Sequence, residues 1–272
     1  MHEVVGGDGS SLEAFLAAFA EFEKATQEAV SVSQRNIGNI HTGRQRRALA
    51  VFSKFIVHNM AIRSMMSGYS SDPDSETLLD HFSCAVLARS SIDAALMTMY
   101  ISEPRLSLKQ WDFRRQLLYL HDINNRSRFL KPLRKQGLDV PFFDTNEDVK
   151  SDIQQNIMSL GPSLLYSQEK IAEYAKGLHL FVDGVRGAAR ESEWDIDEFE
   201  FNQAYLSAYV HSHPVSFMRF DEHDIKFGGA SEFQIDFCRY IVTMVTMYTK
   251  SVVARMDKFS VPDKGDPNGH LE

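Results

Sequence analysis

Ser231-Glu232-Phe233-Gln234-Ile235-Asp236-Phe237-Cys238-Arg239-Tyr240-Ile241-Val242-Thr243-Met244-Val245-Thr246-Met247-Tyr248-Thr249-Lys250-Ser251-Val252-Val253 is the stretch whose reading decides the fold class. Its opening Ser231-x-x-Gln234 is a capping box, and the run from Phe233 to Val253 is apolar nearly all round. Such a helix either spans a membrane or sits at the centre of a bundle. Asp236, Arg239 and Lys250 interrupt the apolar run, and its methionines and tyrosines suit a bundle centre.

Outward from that helix, almost every segment has helical period, and no alternating run is long enough to build a sheet. The expected class is all-α, a multi-helix bundle of about eight helices. Ser10-x-x-Glu13 opens an amphipathic helix with Leu12, Phe15, Leu16, Phe19 and Phe22 on one side, reaching about Ser33. A second helix is expected over 46–67, ended by Gly68, and a third from the Asp72-Pro73 cap to about Ser102. Ser107-x-x-Gln110 opens a fourth, basic helix that should break near Pro132 or Gly137. Residues 137–146, with Val140-Pro141-Phe142-Phe143, read as a structured connection. Two more helices are expected over 147–160 and 167–182, punctuated by Gly161-Pro162 and Gly184. An acidic start at Asp195 and Asp197 suits the dipole of a helix that carries Tyr205 and is stopped by Pro214.

With 272 residues, 43% hydrophobic and 11% aromatic, the chain has ample material for a core. Residues 10–260 read as one all-α domain between soft ends, 1–9 and 261–272, and Leu271-Glu272 looks like a cloning remnant. No basic-plus-apolar leader is evident, so the expected location is cytoplasmic, without a membrane partner. Cys84 and Cys238 fall in apolar helical patterns and read as packing residues.

The charge balance, 29 Lys and Arg against 37 Asp and Glu, gives −8 and argues against general attraction to nucleic acid. From 105 to 135, however, nine Lys and Arg face only Asp112 and Asp122. That local +7 reads as a solvated helix face or as a footprint for RNA.

Three groups of residues could carry chemistry. Arg89 falls at the centre of the third helix's apolar stripe, among Leu78, Phe82, Ala85, Val86, Ile92, Leu96 and Tyr100. Asp93, four residues on, is placed to pair with it. A buried charge must be paired or face a cleft, so the expectation is an interior ion pair or part of a site. In the fourth helix, Arg114 and His121 share a polar line with Gln110, Asn125 and Arg128, either ordinary surface or the wall of a basic groove. In Tyr205-Leu206-Ser207-Ala208-Tyr209-Val210-His211-Ser212-His213-Pro214, Ser207 lies one turn before His211. Ala204 and Ala208 allow close helix approach, which places His211 at a helix contact, as an acid, an anion ligand or a cap.

Ala88-Arg89-Ser90-Ser91-Ile92-Asp93 followed much later by Tyr205 to Ser212 resembles a family of bacterial helical proteins classed as a domain of unknown function, which is itself similar to the HEPN group. The resemblance covers roughly residues 78–253. It implies a HEPN-like core with extra N-terminal helices and an RNA-acting or defence-associated role. The implied chemistry is a metal-independent ribonuclease with Arg89, Asp93, Ser207, Tyr205 and His211 at one site. Asp93 stands where that family more usually has Glu. HEPN ribonucleases carry Arg and His separated by four to six residues, a count met by Arg114 or Arg115 with His121 but not by His211.

Two other readings stand beside it. His121-Asp122 after an apolar run resembles the central pair of a helical HD phosphohydrolase, with His81 and Asp183 completing a divalent-metal set that would activate water. The glycine usual after that pair is absent. His211-x-His213 with Asp221-Glu222-His223-Asp224 could hold a metal on a loop. The third class is a non-enzymatic interaction or homo-oligomerisation module using the Met-rich last helix.

Overall fold

The computed structural model describes residues 11–72, 76–138 and 147–261. Among these are nine α-helices and no strand: α1 (Ser11–Arg35), α2 (Gly43–Ser71), α3 (His81–Ile101), α4 (Leu108–Arg134), α5 (Glu147–Leu160), α6 (Gln168–Tyr174), α7 (Gly184–Glu191), α8 (Ile196–Val210) and α9 (Glu232–Phe259). The fold is the all-α multi-helix bundle that the periodicity implies. Within the span read as one domain, contacts cluster into two compact units. Unit 1 comprises Met1–Ser102 and Asp195–Glu272, and unit 2, Glu103–Trp194, is inserted in sequence between α3 and α8.

Unit 1 holds α1, α2, α3, α8 and α9, and its cross-helix bonds fix their directions. Ser11 Oγ bonds Asp236 at 2.5 Å and Lys250 reaches Glu21 at 3.3 Å, so α1 and α9 run parallel. Asn59 Nδ2 donates to Thr249 Oγ1 at 3.0 Å, and Ser91 Oγ donates to Asn59 Oδ1 at 2.6 Å. These three buried polar groups satisfy one another at the meeting of α2, α3 and α9 and pin their register, since a slip would strand them. Gln203 reaching Asp93, and Arg89 reaching Ser207, set α8 antiparallel to α3. Arg44 reaching the Ile101 carbonyl and Gln45 the Phe259 carbonyl set α2 antiparallel to α3 and α9, so within unit 1 α2 and α8 run opposite to α1, α3 and α9.

Several sequence boundaries shift. Gly68 does not end α2, which runs on to Ser71. A Cβ on Gly68 would stand 3.2 Å from the Thr77 side chain, so the glycine gives room to the returning chain. The third helix starts at His81 under an Asp80 cap, whose carboxylate accepts from Ser83 N, and not at Asp72-Pro73. Pro73, like Ser10, the Val140-Pro141-Phe142-Phe143 stretch and both chain ends, lies outside the described residues. The Ser107 and Ser231 capping boxes both form. Thr42 with Gln45 makes a third that sequence reading missed. Pro132 is accommodated in the last turn of α4, and Gly137, at φ +73°, comes just after the helix end.

Unit 2 has its own core of Phe113, Leu117, Leu120, Ile153, Ile157, Tyr174 and Val182. The helix expected over 167–182 is cut to α6 because the chain turns at Gly177, φ +68°, where a Cβ would strike Leu120. Tyr174 Oη then bonds Val182 O at 2.6 Å, and α7 was not anticipated.

Among the described residues one helix, α3 and not α9, is long and apolar enough to cross a membrane. About two-thirds of its window (67%) is buried within the protein, as in a core helix.

Candidate functional site

The two motifs that carry the family resemblance meet in unit 1. Arg89 Nε donates to Ser207 Oγ at 3.0 Å, a contact across 118 residues of sequence. The Arg89 guanidinium also pairs with the Asp93 carboxylate, whose other oxygen accepts from Gln203 Nε2 at 3.1 Å. The expected ion pair exists, but it is not interior. The Arg89 side chain is 19% exposed and that of Asp93 is 54% exposed. The pair sits at the edge of the α3–α8 seam, where the helix wheel alone had placed it in the core. The network is an interhelical clamp in which the carboxylate already balances the guanidinium.

His211 departs from expectation. It is the C-terminal cap residue of α8, donating its backbone N–H to Ser207 O at 3.0 Å, and its side chain is exposed. The chain leaves helical geometry at Ser212, φ 50°, so the imidazole is carried past the seam, not into it. Its ring lies 5.8 Å from that of His213.

Tyr205 belongs to a different feature, a connected belt of aromatic rings formed by α8, α9, the start of α3 and the 211–231 connection. Phe201 stacks on Tyr205 at 5.6 Å and 20°, and Tyr240 meets both within 6.5 Å. Through Phe237 and Tyr209, 4.9 Å apart, the belt reaches Phe233, on which His223 stacks at 3.8 Å. Phe82 continues it to Phe220 and then Phe227. Centroid spacings of this kind are those of favourable ring pairs. The middle of the belt is buried, while its ends, Phe201 at 57% and Phe227 at 69%, are exposed. Burial pushes the Tyr209 and Tyr240 phenols above their ordinary range and that of Tyr248 up to about 12, so these are not groups that release protons near neutrality.

Buried Gln234 holds the connection over the belt, accepting from Lys226 N at 2.9 Å and donating to Lys226 O and Leu79 O. A cleft with room for about one water molecule lies there, lined by His81, Tyr209, Arg219 and His223 among others. His81 is buried with its Nδ1 unpartnered. Burial foremost, then the charge on His223, holds its pKa down at about 4 against the opposing pull of Asp80 and the Leu79 carbonyl.

Unit 2 contains the remaining candidates. Arg114 is neither surface nor groove wall: it is buried and pairs with Glu191 at 2.5 Å. His121 stands by Asn125, 3.0 Å from Nδ1, with its pKa lowered by burial and then by Arg128. Arg114 is already committed to a carboxylate, so it does not present the free guanidinium that a shared phosphate site with His121 needs. The basic footprint is also partly neutralised, since Arg105, Arg115 and Arg126 pair with Glu103, Asp112 and Asp122.

The metal alternatives are not assembled. Among the described residues no three His, Cys, Asp or Glu side chains form a group able to hold a metal ion. Of the proposed set, Asp122 pairs with Arg126 and Asp183 with Lys170. In the loop set, Glu222 is engaged by Arg219 and Asp224 by Lys226. The free cysteines Cys84 and Cys238 are buried, as packing residues would be.

The belt was missed from sequence, although its signal was present in the helical spacing of Phe201, Tyr205 and Tyr209 and of Phe233 and Phe237. No family model matches the chain, and no curated protein or solved structure shows significant similarity to it. The resemblance drawn from residues 88–93 and 205–212 therefore rests on those residues alone.

Proposed function

We propose that this protein is a non-enzymatic binding module whose contact face is the aromatic belt of unit 1. The observation that carries the reading is the exposure of the belt's two end rings, Phe201 at 57% and Phe227 at 69%, with Val215, beside the cleft, 49% exposed. Exposed aromatic rings backed by a buried apolar base are the kind of feature that marks contact surfaces. A rigid aromatic base beneath them limits the ordering entropy of binding. The Met-rich α9 supplies less of the face than its sequence suggests, because Met244 and Met256 are buried and only Met247 is substantially exposed.

The test is selection of a random peptide library on wild-type protein, with counter-selection on a Phe201→Ser/Phe227→Ser variant. Peptides enriched only by wild type support the reading. No enrichment, or equal enrichment, overturns it.

The Arg89–Ser207 bond supports a second reading, metal-independent action on RNA, because it joins the two segments on which the resemblance to a HEPN-related family rests. On that reading Arg89 would have to exchange Asp93 for a phosphate, and the exposed His211 imidazole would have to turn back toward the α3–α8 seam to exchange protons. RNA cleavage in excess chelator that is lost in His211→Ala selects this reading. Loss only in His121→Ala moves the site to α4, and absence of cleavage removes both.

A further inference from the structure

We infer that the Phe201–Tyr205–Tyr240 end of the belt takes a cationic side chain, an arginine or lysine of a protein partner. The inference rests on the binding-module reading and specifies the chemistry of its partner. Three observations converge on it.

First, the rings form a platform. Phe201 and Tyr205, four residues apart on α8, lie near-parallel at 20°, and Tyr240 from α9 stands across Phe201 at 73°. The Phe201 side chain is 57% exposed, and Tyr205 and Tyr240 are half-buried, so this end of the belt reaches solvent. Second, the platform is held in place from beneath. Tyr240 Oη donates to Asn202 Oδ1, and Asn202 Nδ2 donates to Tyr248 Oη at 3.1 Å, with Asn202 buried. The Tyr240 ring is thus fixed before any ligand arrives. Third, the unpaired charge nearby is negative, since Arg219, within electrostatic reach of Tyr205, pairs with Glu222, and Arg239 pairs with Asp236. Asp197 and Glu198, one turn before Phe201, are exposed, and the charge on Glu198 is felt at Tyr240 and Tyr248. The residues of unit 1 hold 15 Lys and Arg against 24 Asp and Glu, a balance of −9.

Aromatic faces attract cations through their quadrupole, and neighbouring carboxylates strengthen the attraction without neutralising it. An anionic partner such as RNA meets repulsion at the same place. Arginine fits best, because a planar guanidinium can stack on the Phe201 and Tyr205 rings while donating to a carboxylate on the rim.

The test uses the full chain and two defined probes: an octapeptide alternating arginine and serine, and its isosteric counterpart with citrulline replacing arginine. Binding is measured by calorimetry, with the ring resonances of Tyr205 and Tyr240 followed by NMR. Wild type should bind the arginine peptide, shift both rings and ignore the citrulline peptide. Phe201→Leu/Tyr205→Leu, which keeps apolar area but removes the π faces, should bind about fivefold more weakly or worse. Failure of the arginine peptide to bind at low salt overturns the inference, as does equal binding by the ring-less variant, which would report net charge alone. Should the arginine peptide fail while the library yields cation-free peptides lost on Phe201→Ser/Phe227→Ser, this inference falls and the binding-module reading stands. Failure of every peptide ends both.

Discussion

The two compact units differ in charge balance and in where their connected aromatic rings end. In unit 2 the 14 Lys and Arg nearly balance 13 Asp and Glu, Arg114 is buried against Glu191, and the clustered rings Phe113 and Tyr174 lie in the core. Unit 1 carries an uncompensated −9, its Arg89–Asp93 pair stands at the rim of a helix seam, and its aromatic belt runs out to exposed ends. The contrast teaches that the same residue types close a core in one unit and reach the surface in the other, which is why the proposed binding face is placed on unit 1.

The strongest blow to this contrast comes from the cores. Phe113→Ala empties a fully buried site between α4 and the rest of unit 2 and should cost about 3–5 kcal/mol by denaturant unfolding. Phe201→Ala, an equal truncation on the exposed face, should change stability by roughly 0.5 kcal/mol or less. Comparable losses from the two would mean that Phe201 is a core residue and no contact surface.

Next comes pH. His81 has a folded pKa lowered from 6.5 to about 4. A neutral folded imidazole contributes nothing extra above pH 6.5. As pH falls from 6.5 toward 4 the unfolded chain takes up a proton that the folded chain refuses, and unit 1 should lose up to about 3 kcal/mol. His81→Phe should flatten that part of the stability profile, whereas an unchanged profile would contradict the burial of His81 among the rings.

The two arginines sharpen the comparison further. Arg114→Ala strands the Glu191 carboxylate, 27% exposed, and should cost about 2–3 kcal/mol. Arg89→Ala leaves Asp93, 54% exposed, free to rehydrate, and should cost about 1 kcal/mol or less. Thermal unfolding of both variants checks the order, and a reversed order would make the α3–α8 seam the more buried one.

Sequence legibility tracked locality. Ser107-x-x-Gln110, Ser231-x-x-Gln234 and the α5 bounds were readable because capping and helical period are properties of neighbouring residues. Gly68 misled because its role is a tertiary approach to Thr77, and α6 was read too long because Gly177 turns where Leu120 of another helix leaves no room for a side chain. At the candidate site, the Arg89–Asp93 pairing was legible from i, i+4 spacing. Its exposure was not, since a wheel does not say which side of α3 the neighbouring helix α8 covers. The belt draws rings from three helices and a connection, and no local pattern joins Phe82 to Phe220 or Tyr205 to Tyr240.

The central claim, that the belt of unit 1 is a binding face, is tested most directly by the dissociation constant of the best library-selected peptide for wild type and for Phe201→Ser/Phe227→Ser, with the Tm of each protein measured alongside. Removing two exposed rings that anchor a partner should weaken binding about thirtyfold while leaving Tm unchanged. An unchanged dissociation constant would contradict the account.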